Sequence, residues 1–240
     1  MSPIAAIVPV LNEQRLLRSA LSALQTMHEF EEIIIVDGES SDGSSRIASR
    51  FSETAMMSSS LKRTQVRAIQ SPPSRGLQMN AGAAIASSPI LLFLHVDTQL
   101  PREAVGLIRD AIHCGFHWGR FDVQLDDSRI VLRIIARAMN IRSALTGIAT
   151  GDQAIFVSRR VFNEVGGFSD VPLMEDIILS KRLKRLGRPA IIHNPVLISA
   201  RRWQSRGVLR TVGEMWMLRL MFWFGVAPSR LSKWYYTSKA

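Results

Sequence analysis

The chain has 240 residues, 47% of them hydrophobic, enough for one large domain or two small ones with a substantial core, which excludes a disordered tail protein. Its one cysteine cannot form an internal disulfide or a zinc cluster, and the start Met1-Ser2-Pro3 lacks the charged and apolar regions of a secretory signal, so a reducing cytoplasmic setting is expected. The net charge of +10 is uneven: residues 1–180 hold 17 Lys and Arg against 19 Asp and Glu, whereas residues 181–210 hold 9 basic residues and no acid. That asymmetry implies an anionic partner such as phosphate groups, a membrane surface or nucleic acid, set against a solvated helix face for the 181–188 run.

Taken in chain order, residues 4–8 and 33–36 are short apolar runs rich in β-branched residues, and 90–94 is a third; each is bounded by turn or polar residues and reads as a buried strand. Residues 13–27 and 75–86 have helical length and spacing, and Asp42 or Ser44 is placed to cap a further helix after the second strand. Alternating strands and helices of this length predict a mostly parallel α/β sheet. Beyond Gly115 the pattern predicts a strand over 118–125, a helix over 128–139, a strand over 154–157 and a helix over 175–186, a mixed sheet with inserted helices. No repeat or linker divides the chain.

Ligands of such sheets bind at the carboxyl ends of the strands, which directs attention to the segments after each strand. Asp37 leaves the second strand at a turn with two glycines, Gly38 and Gly43, where its carboxylate can accept hydrogen bonds from a base N–H or a ribose hydroxyl; an ordinary acidic turn is the plainer alternative. His95 and Asp97 are two apart at the end of the third strand and project from one face. Asp97 suits a hard ion, Mg²⁺ or Mn²⁺, that also takes phosphate oxygens, and His95 is either a second ligand or a packed histidine. Glu175 and Asp176 open a helix, where a carboxylate is either an N-terminal cap or a general base for an attacking hydroxyl. The Walker and Rossmann glycine fingerprints are absent, which counts against an ATPase or a dinucleotide oxidoreductase.

Together the segments Val8-Pro9-Val10-Leu11-Asn12-Glu13, Val36-Asp37-Gly38-Glu39-Ser40-Ser41-Asp42-Gly43, Phe93-Leu94-His95-Val96-Asp97-Thr98, Gly166-Gly167-Phe168 and Met174-Glu175-Asp176 resemble the family 2 inverting glycosyltransferases of the GT-A nucleotide-sugar fold. The stretch Arg75-Gly76-Leu77-Gln78-Met79-Asn80-Ala81-Gly82, with Gly151-Asp152-Gln153 and Ala200-Arg201-Arg202-Trp203, resembles a small bacterial subgroup of unassigned acceptor. The resemblance implies a single Rossmann-like α/β domain with a mostly parallel, mixed sheet flanked by helices over residues 1–205, and a C-terminal helical extension over 206–240. It implies that Pro9, Glu13, Asp37, Arg75, Asp97 and Asp152 bind the nucleotide sugar, that Asp97 with His95 holds a divalent metal, and that Asp176, beside Glu175, is the general base. Arg202 and Trp203 fall near the acceptor or diphosphate. The sequence departs from the family pattern at His95, which stands where the metal motif has its first acid, and Arg202-Trp203 is followed rather than preceded by Gln204.

The function expected is a hexosyltransferase that moves a sugar from a nucleoside-diphosphate sugar to an acceptor hydroxyl with inversion, the charge on the leaving phosphates being offset by the metal and by the basic 181–210 region. The rivals are a nucleotidyltransferase, which would carry a phosphate loop rich in glycine and in arginine or lysine where this chain has residues 9–13, and a basic nucleic-acid-binding protein. Nucleic acid is not the expected partner, because the basic region follows an apparently complete acidic site. Residues 208–224 have helical length, but Arg210 and Arg219 fall about 180° apart on an ideal wheel and the end is almost wholly apolar. That segment either packs on the domain or another subunit, or lies at a lipid interface, which would make the chain peripheral at the inner face of the cell membrane and suit a lipid-linked acceptor.

Overall fold

A strand can be apolar on both faces only where helices cover both sides of its sheet, and the first three predicted strands have that character. The computed structural model describes residues 2–27, 29–57 and 64–237. Its first half runs β1 (Ile4–Val10), α1 (Gln14–Thr26), β2 (Glu32–Asp37), α2 (Ser44–Met57), β3 (Gln65–Gln70), α3 (Arg75–Ile85), β4 (Ile90–Phe93), β5 (Thr98–Gln99) and α4 (Ala104–His113). There follow β6 (Trp118–Leu125), α5 (Ile130–Thr146), a short 3-10 turn (Gly151–Gln153), β7 (Phe156–Ser158), α6 (Arg159–Glu164) and α7 (Glu175–Leu186). The chain closes with β8 (Ala190–Ile198), α8 (Arg201–Arg206), α9 (Val208–Trp223) and α10 (Pro228–Thr237).

The strands form one sheet in the order β3-β2-β1-β4-β7-β6-β8-β5. β1 runs parallel to β2 and β4, and β2 parallel to β3; β7 turns antiparallel to β4 and β6, β8 is parallel to β6, and β5 is antiparallel to β8. The mostly parallel first half and mixed second half match the sequence expectation. Alternation along β1 divides the core: Ile4, Ala6, Val8 and Val10 join Leu17 and Leu21 of α1 on one face, while Ala5 and Ile7 join Met79 and Ala83 of α3 on the other. α3 lies so close to the sheet that a Cβ at Gly82 would stand 2.5 Å from Ile7 Cγ2.

Several boundaries move for visible reasons. The strand expected over 154–157 becomes Phe156–Ser158 because Ala154 takes a left-handed φ of 46°. The helix expected over 128–139 starts at Ile130 and runs on to Thr146, where Gly147 ends it in the left-handed conformation. β3, α4 and β8 had no counterpart in the expected pattern. β3, at the sheet edge, mixes polar and apolar residues, Gln65 and Arg67 alternating with Val66 and Ala68 before Gln70 closes the strand, and β8 contains Pro195, which sits where the register with β6 shifts between Phe121 and Val123.

The C-terminal helices rest on the rest of the chain: Leu218 and Leu231 are buried with Met174 and Ile177. The expected boundary after residue 205 falls inside α8. No helix among the described residues is long and apolar enough to cross a membrane.

Glu32, 2% exposed at the start of β2, ties three strands' worth of chain together. It accepts hydrogen bonds from the Ser88 amide at 2.6 Å and the Ser87 amide at 3.0 Å, from both serine hydroxyls, and from Arg67 of β3. Burial raises its pKa, but the bonds from Ser88 and Ser87 outweigh that and hold the carboxyl below the ordinary glutamate value. Its stabilisation is therefore present above the unfolded-state pKa and lost as pH falls through the lower folded value. Glu32→Gln should cost about 2 kcal/mol at neutral pH and the deficit should shrink on acidification, as read by urea unfolding at a series of pH values.

Candidate active site

Parallel pairing of β1 and β2 sets Val10 opposite Asp37, so the two strands end side by side and release their loops at one edge. Those loops are stitched together by hydrogen bonds: the Asn12 amide donates to Ser40 Oγ at 2.9 Å, the Ser41 amide to Asn12 Oδ1 at 2.8 Å, the Glu13 amide to Ser44 Oγ at 2.9 Å and the Gln14 amide to Asp42 Oδ2 at 3.1 Å. Asn12 and Glu39 both take left-handed backbone, φ 56° and 61°, a strain held by these bonds. From the other side, Gln78 of α3 donates its Nε2 to the carbonyls of Val10 and Val36, each at 2.8 Å. Its amide lies where a Cβ at Gly38 would be, 2.9 Å away, so that position admits only glycine without displacing the clamp.

Asp37 is 2% exposed at the tip of β2. Its Oδ2 accepts the Ser40 amide at 3.1 Å, while Oδ1 is buried with no hydrogen-bond partner. A buried carboxylate oxygen without a donor is costly, and a ligand N–H or hydroxyl would remove the cost.

A cleft of about 710 Å³, within the range of small-molecule sites, opens at the strand ends. Pro9, Glu13, Arg75, His95, Asp97, Asp152 and Glu175 all line it, so these residues, far apart in sequence, are brought together, whereas Asp37 is not among the lining residues. Asp176 lines a smaller adjoining cavity with His95, Gly151 and Glu175. Its Oδ2 accepts the Gly151 amide at 2.8 Å and its Oδ1 the Ile177 amide at 2.7 Å, which fixes the carboxylate against the 3-10 turn. Trp203 is 6% exposed and sits in the core, lining a different cavity between α5 and α9; the side chain of Arg202 lies outside the described residues.

The cleft concentrates negative charge. Burial raises the pKa of Glu13, with Arg201 opposing and Asp97 adding to the shift, and burial together with the Asp176 charge raises that of Glu175. Arg75 offsets part of this from the first turn of α3, 3.7 Å from Glu175 Oε1. His95 Nδ1 lies 3.6 Å from Asp152 Oδ1, and its Nε2 is buried without a partner. No group of three or more His, Cys, Asp or Glu among the described residues is arranged to cage a metal ion.

Three cations of the basic run are engaged within the protein rather than at the cleft. Arg182 donates to the Gly167 carbonyl and to Ser169 Oγ, Lys184 to the Thr146 carbonyl, and Lys181 stands 4.9 Å over the Phe222 ring. These cations fasten loops and α9 to α7, and of the 181–210 stretch Arg201 is the one felt at Glu13. Gln78, Arg142 and Arg219 had no site role in the sequence reading, each being a polar side chain inside a helix whose facing is decided by packing.

Residues 5–128, just over half of the chain, match the family model described as Glycosyl transferase family 2. The chain belongs to glycosyl transferase family 2. No curated protein matches it significantly by sequence. Among solved structures, the fold is similar to that of TarS residues 1–349 from S. aureus, at 13% identity and TM-score 0.63 over 82% of this chain and 60% of that one. It is also similar to the mannosyltransferase PcManGT from Pyrobaculum calidifontis, solved with GDP-Man and Mn²⁺, at 17% identity and TM-score 0.64 over 91% of this chain and 60% of that one. Glucosyl-3-phosphoglycerate synthase from Mycobacterium tuberculosis, solved with Mg²⁺ and UDP, aligns at 18% identity and TM-score 0.57 over 82% of this chain and 70% of that one. At these identities the likeness concerns the GT-A-type fold. This family 2 chain spans about 60% of the length of the first two neighbours.

The Gln78 clamp yields a test. Gln78→Leu keeps the bulk but removes the side-chain donor shared by the Val10 and Val36 carbonyls, leaving the Gly38 amide on Val10, which should cost about 2 kcal/mol and loosen both loops. Urea unfolding should show the loss, and amide exchange at residues 11–13 and 38–41 should accelerate more than at the strands.

Proposed function

We propose that the chain transfers a sugar, of hexose type, from a nucleoside-diphosphate sugar to an acceptor hydroxyl with inversion at the anomeric carbon. The observation that carries this reading is the convergence of Pro9, Glu13, Arg75, Asp97, Asp152 and Glu175 on one cleft at the strand ends, together with a buried Asp37 oxygen that lacks a donor at the tip of the strand paired with β1. Among the fold neighbours, PcManGT was solved with GDP-Man and TarS with UDP-GlcNAc, which supports a nucleotide-sugar donor here.

Asp37 would accept a hydrogen bond from the base or ribose, with Pro9 and Glu13 alongside, and Arg75 would face the diphosphate. A divalent ion fits a lightly held position better than a cage: Asp97 is exposed in the cleft, His95 beside it has a free buried Nε2, and Mg²⁺ or Mn²⁺ commonly takes one or two carboxylates plus substrate phosphates. Asp97, with His95, would hold it, and when bound it supplies positive charge to the leaving diphosphate. Asp176, held by the Gly151 and Ile177 amides, takes the proton of the attacking hydroxyl as the new C–O bond forms and the bond to the diphosphate breaks on the opposite face. Glu175, buried and resistant to ionisation, positions Arg75 at the cleft.

In the same reading, residues 1–205 form the catalytic domain and 206–240 an extension that brings it to the inner face of the cell membrane and a lipid-linked acceptor. Exposed Trp216, Leu220, Trp223 and Phe224 support this, since aromatic and apolar side chains next to basic charge suit a lipid interface.

Turnover and donor binding separate the roles. Asp176→Asn should lower turnover about 10²-fold or more with donor affinity little changed, whereas Asp97→Ala should remove the metal-dependent part of nucleoside-diphosphate affinity. Near-normal turnover in Asp176→Asn would reduce that residue to an anchor of the 3-10 turn.

A further inference from the structure

Away from the cleft, a cavity of about 100 Å³ lies between α5 and α9, walled by Met139, Val212, Met215 and Trp216 and holding Arg142 and Arg219. Each helix contributes one arginine and no acid to answer it: α5 has no Asp or Glu, and the one acid of α9, Glu214, pairs with Arg210. Arg142 donates one bond, from Nη1 to the Ile148 carbonyl at 3.3 Å, while its Nε and Nη2 are buried without a partner. Arg219 forms no hydrogen bond or ion pair with a described residue.

Both cations are held against their preference for water. Burial and the Arg219 charge push Arg142 down to about 10, and burial lowers Arg219 as well. Leu218, beside Arg219, is buried against Met174 and Ile177, and Ile148, whose carbonyl accepts from Arg142, packs on the same cluster, which places the pair behind the turn that carries Asp176; Asp176 and Asp152 act on both arginines through space and favour their charge. Two desolvated like charges on facing helices are unfavourable until a ligand supplies the countercharge. A guanidinium fork presents paired donors suited to phosphate or carboxylate.

The rest of the cavity is apolar, and Trp216 in its wall is 67% exposed, on the same face of α9 as the exposed Leu220 and Trp223 one and two turns on. We propose that Arg142 and Arg219 bind the acidic group, phosphate or carboxylate, of an amphiphilic acceptor whose apolar stem leaves past Trp216. This rests on the transferase reading and adds the chemical class of its acceptor. The acid group can belong to a membrane lipid or to a free amphiphile.

The test is calorimetric titration of the full chain with inorganic phosphate, hexyl phosphate and GDP or UDP, in wild type, Arg142→Gln and Arg219→Gln. Hexyl phosphate should bind about tenfold more tightly than inorganic phosphate, and each variant should weaken it by about tenfold or more while nucleotide affinity stays put. Phosphatidylcholine vesicles doped with phosphatidic acid should displace hexyl phosphate if the source is a lipid; failure to displace it assigns a free amphiphile. Should a glutamine variant not fold, Arg219→Lys, which keeps the charge and loses the fork, should fold and still weaken hexyl phosphate. Hexyl phosphate binding that is absent, or indifferent to all three variants, overturns the proposal, as does a parallel loss of nucleotide affinity, which would assign the arginines to the donor. Nucleotide binding without hexyl phosphate binding sinks the arginine site and spares the transferase reading; the opposite pattern sinks that reading and spares the site.

Discussion

Parallel registration of β1 on β2, which sets Val10 against Asp37, fixes where each part of the cleft can be. Once the two strands end level, their loops are close enough to exchange the hydrogen bonds among Asn12, Ser40, Ser41, Glu13 and Ser44, and a single glutamine from α3 can reach both terminal carbonyls. A one-residue slip would turn Asp37 to the other face and break every one of these bonds. β4 then joins the far side of β1 and delivers His95 and Asp97 to the same edge. α7 reaches that edge because Met174 takes left-handed backbone and turns Glu175 and Asp176 inward.

The cleft and the small cavity adjoining it gather six carboxylates, Glu13, Asp97, Asp152, Asp170, Glu175 and Asp176, against Arg75 of α3 in the lining; Arg201 on α8 acts on Glu13 through space, and Arg142 on α5 and Arg219 on α9 stand in a separate cavity within electrostatic range of Asp176. Charge of this kind costs folding energy, as the raised pKa values of Glu13 and Glu175 and the lowered ones of Arg142 and Arg219 indicate. The C-terminal helices belong to this arrangement as much as the sheet does. α9 buries Leu218 against Met174 and Ile177 and brings Arg219 within electrostatic range of Asp176.

The parts of the fold legible in the sequence are those with a short-range pattern. β1, β2 and β4 are buried on both faces and therefore read as continuous apolar runs, and the residues after them could be named as site candidates from strand-end logic alone. β3 and β8 were not legible, because an edge strand with polar alternate residues and a strand broken by Pro195 at a bulge carry no run. Asp37, Asp97 and Glu175 announce themselves by position, whereas Gln78, Arg142 and Arg219 acquire their roles from which side of a helix faces which neighbour. The basic run illustrates the converse: clustered in sequence, Lys181, Arg182 and Lys184 are spent on Phe222 and on loop carbonyls. Trp203, read as a site residue, packs in the core.

The central claim is that the edge built by β1 and β2 holds a nucleoside through Asp37. Calorimetric titration of the chain and of Asp37→Asn with the common nucleosides, lacking phosphates and without added metal, tests it most directly. The account predicts that one nucleoside binds the wild-type chain and that the variant weakens it about tenfold or more, the worth of a hydrogen bond to a charged oxygen. Equal binding by both proteins, or binding of none of the nucleosides, would contradict it.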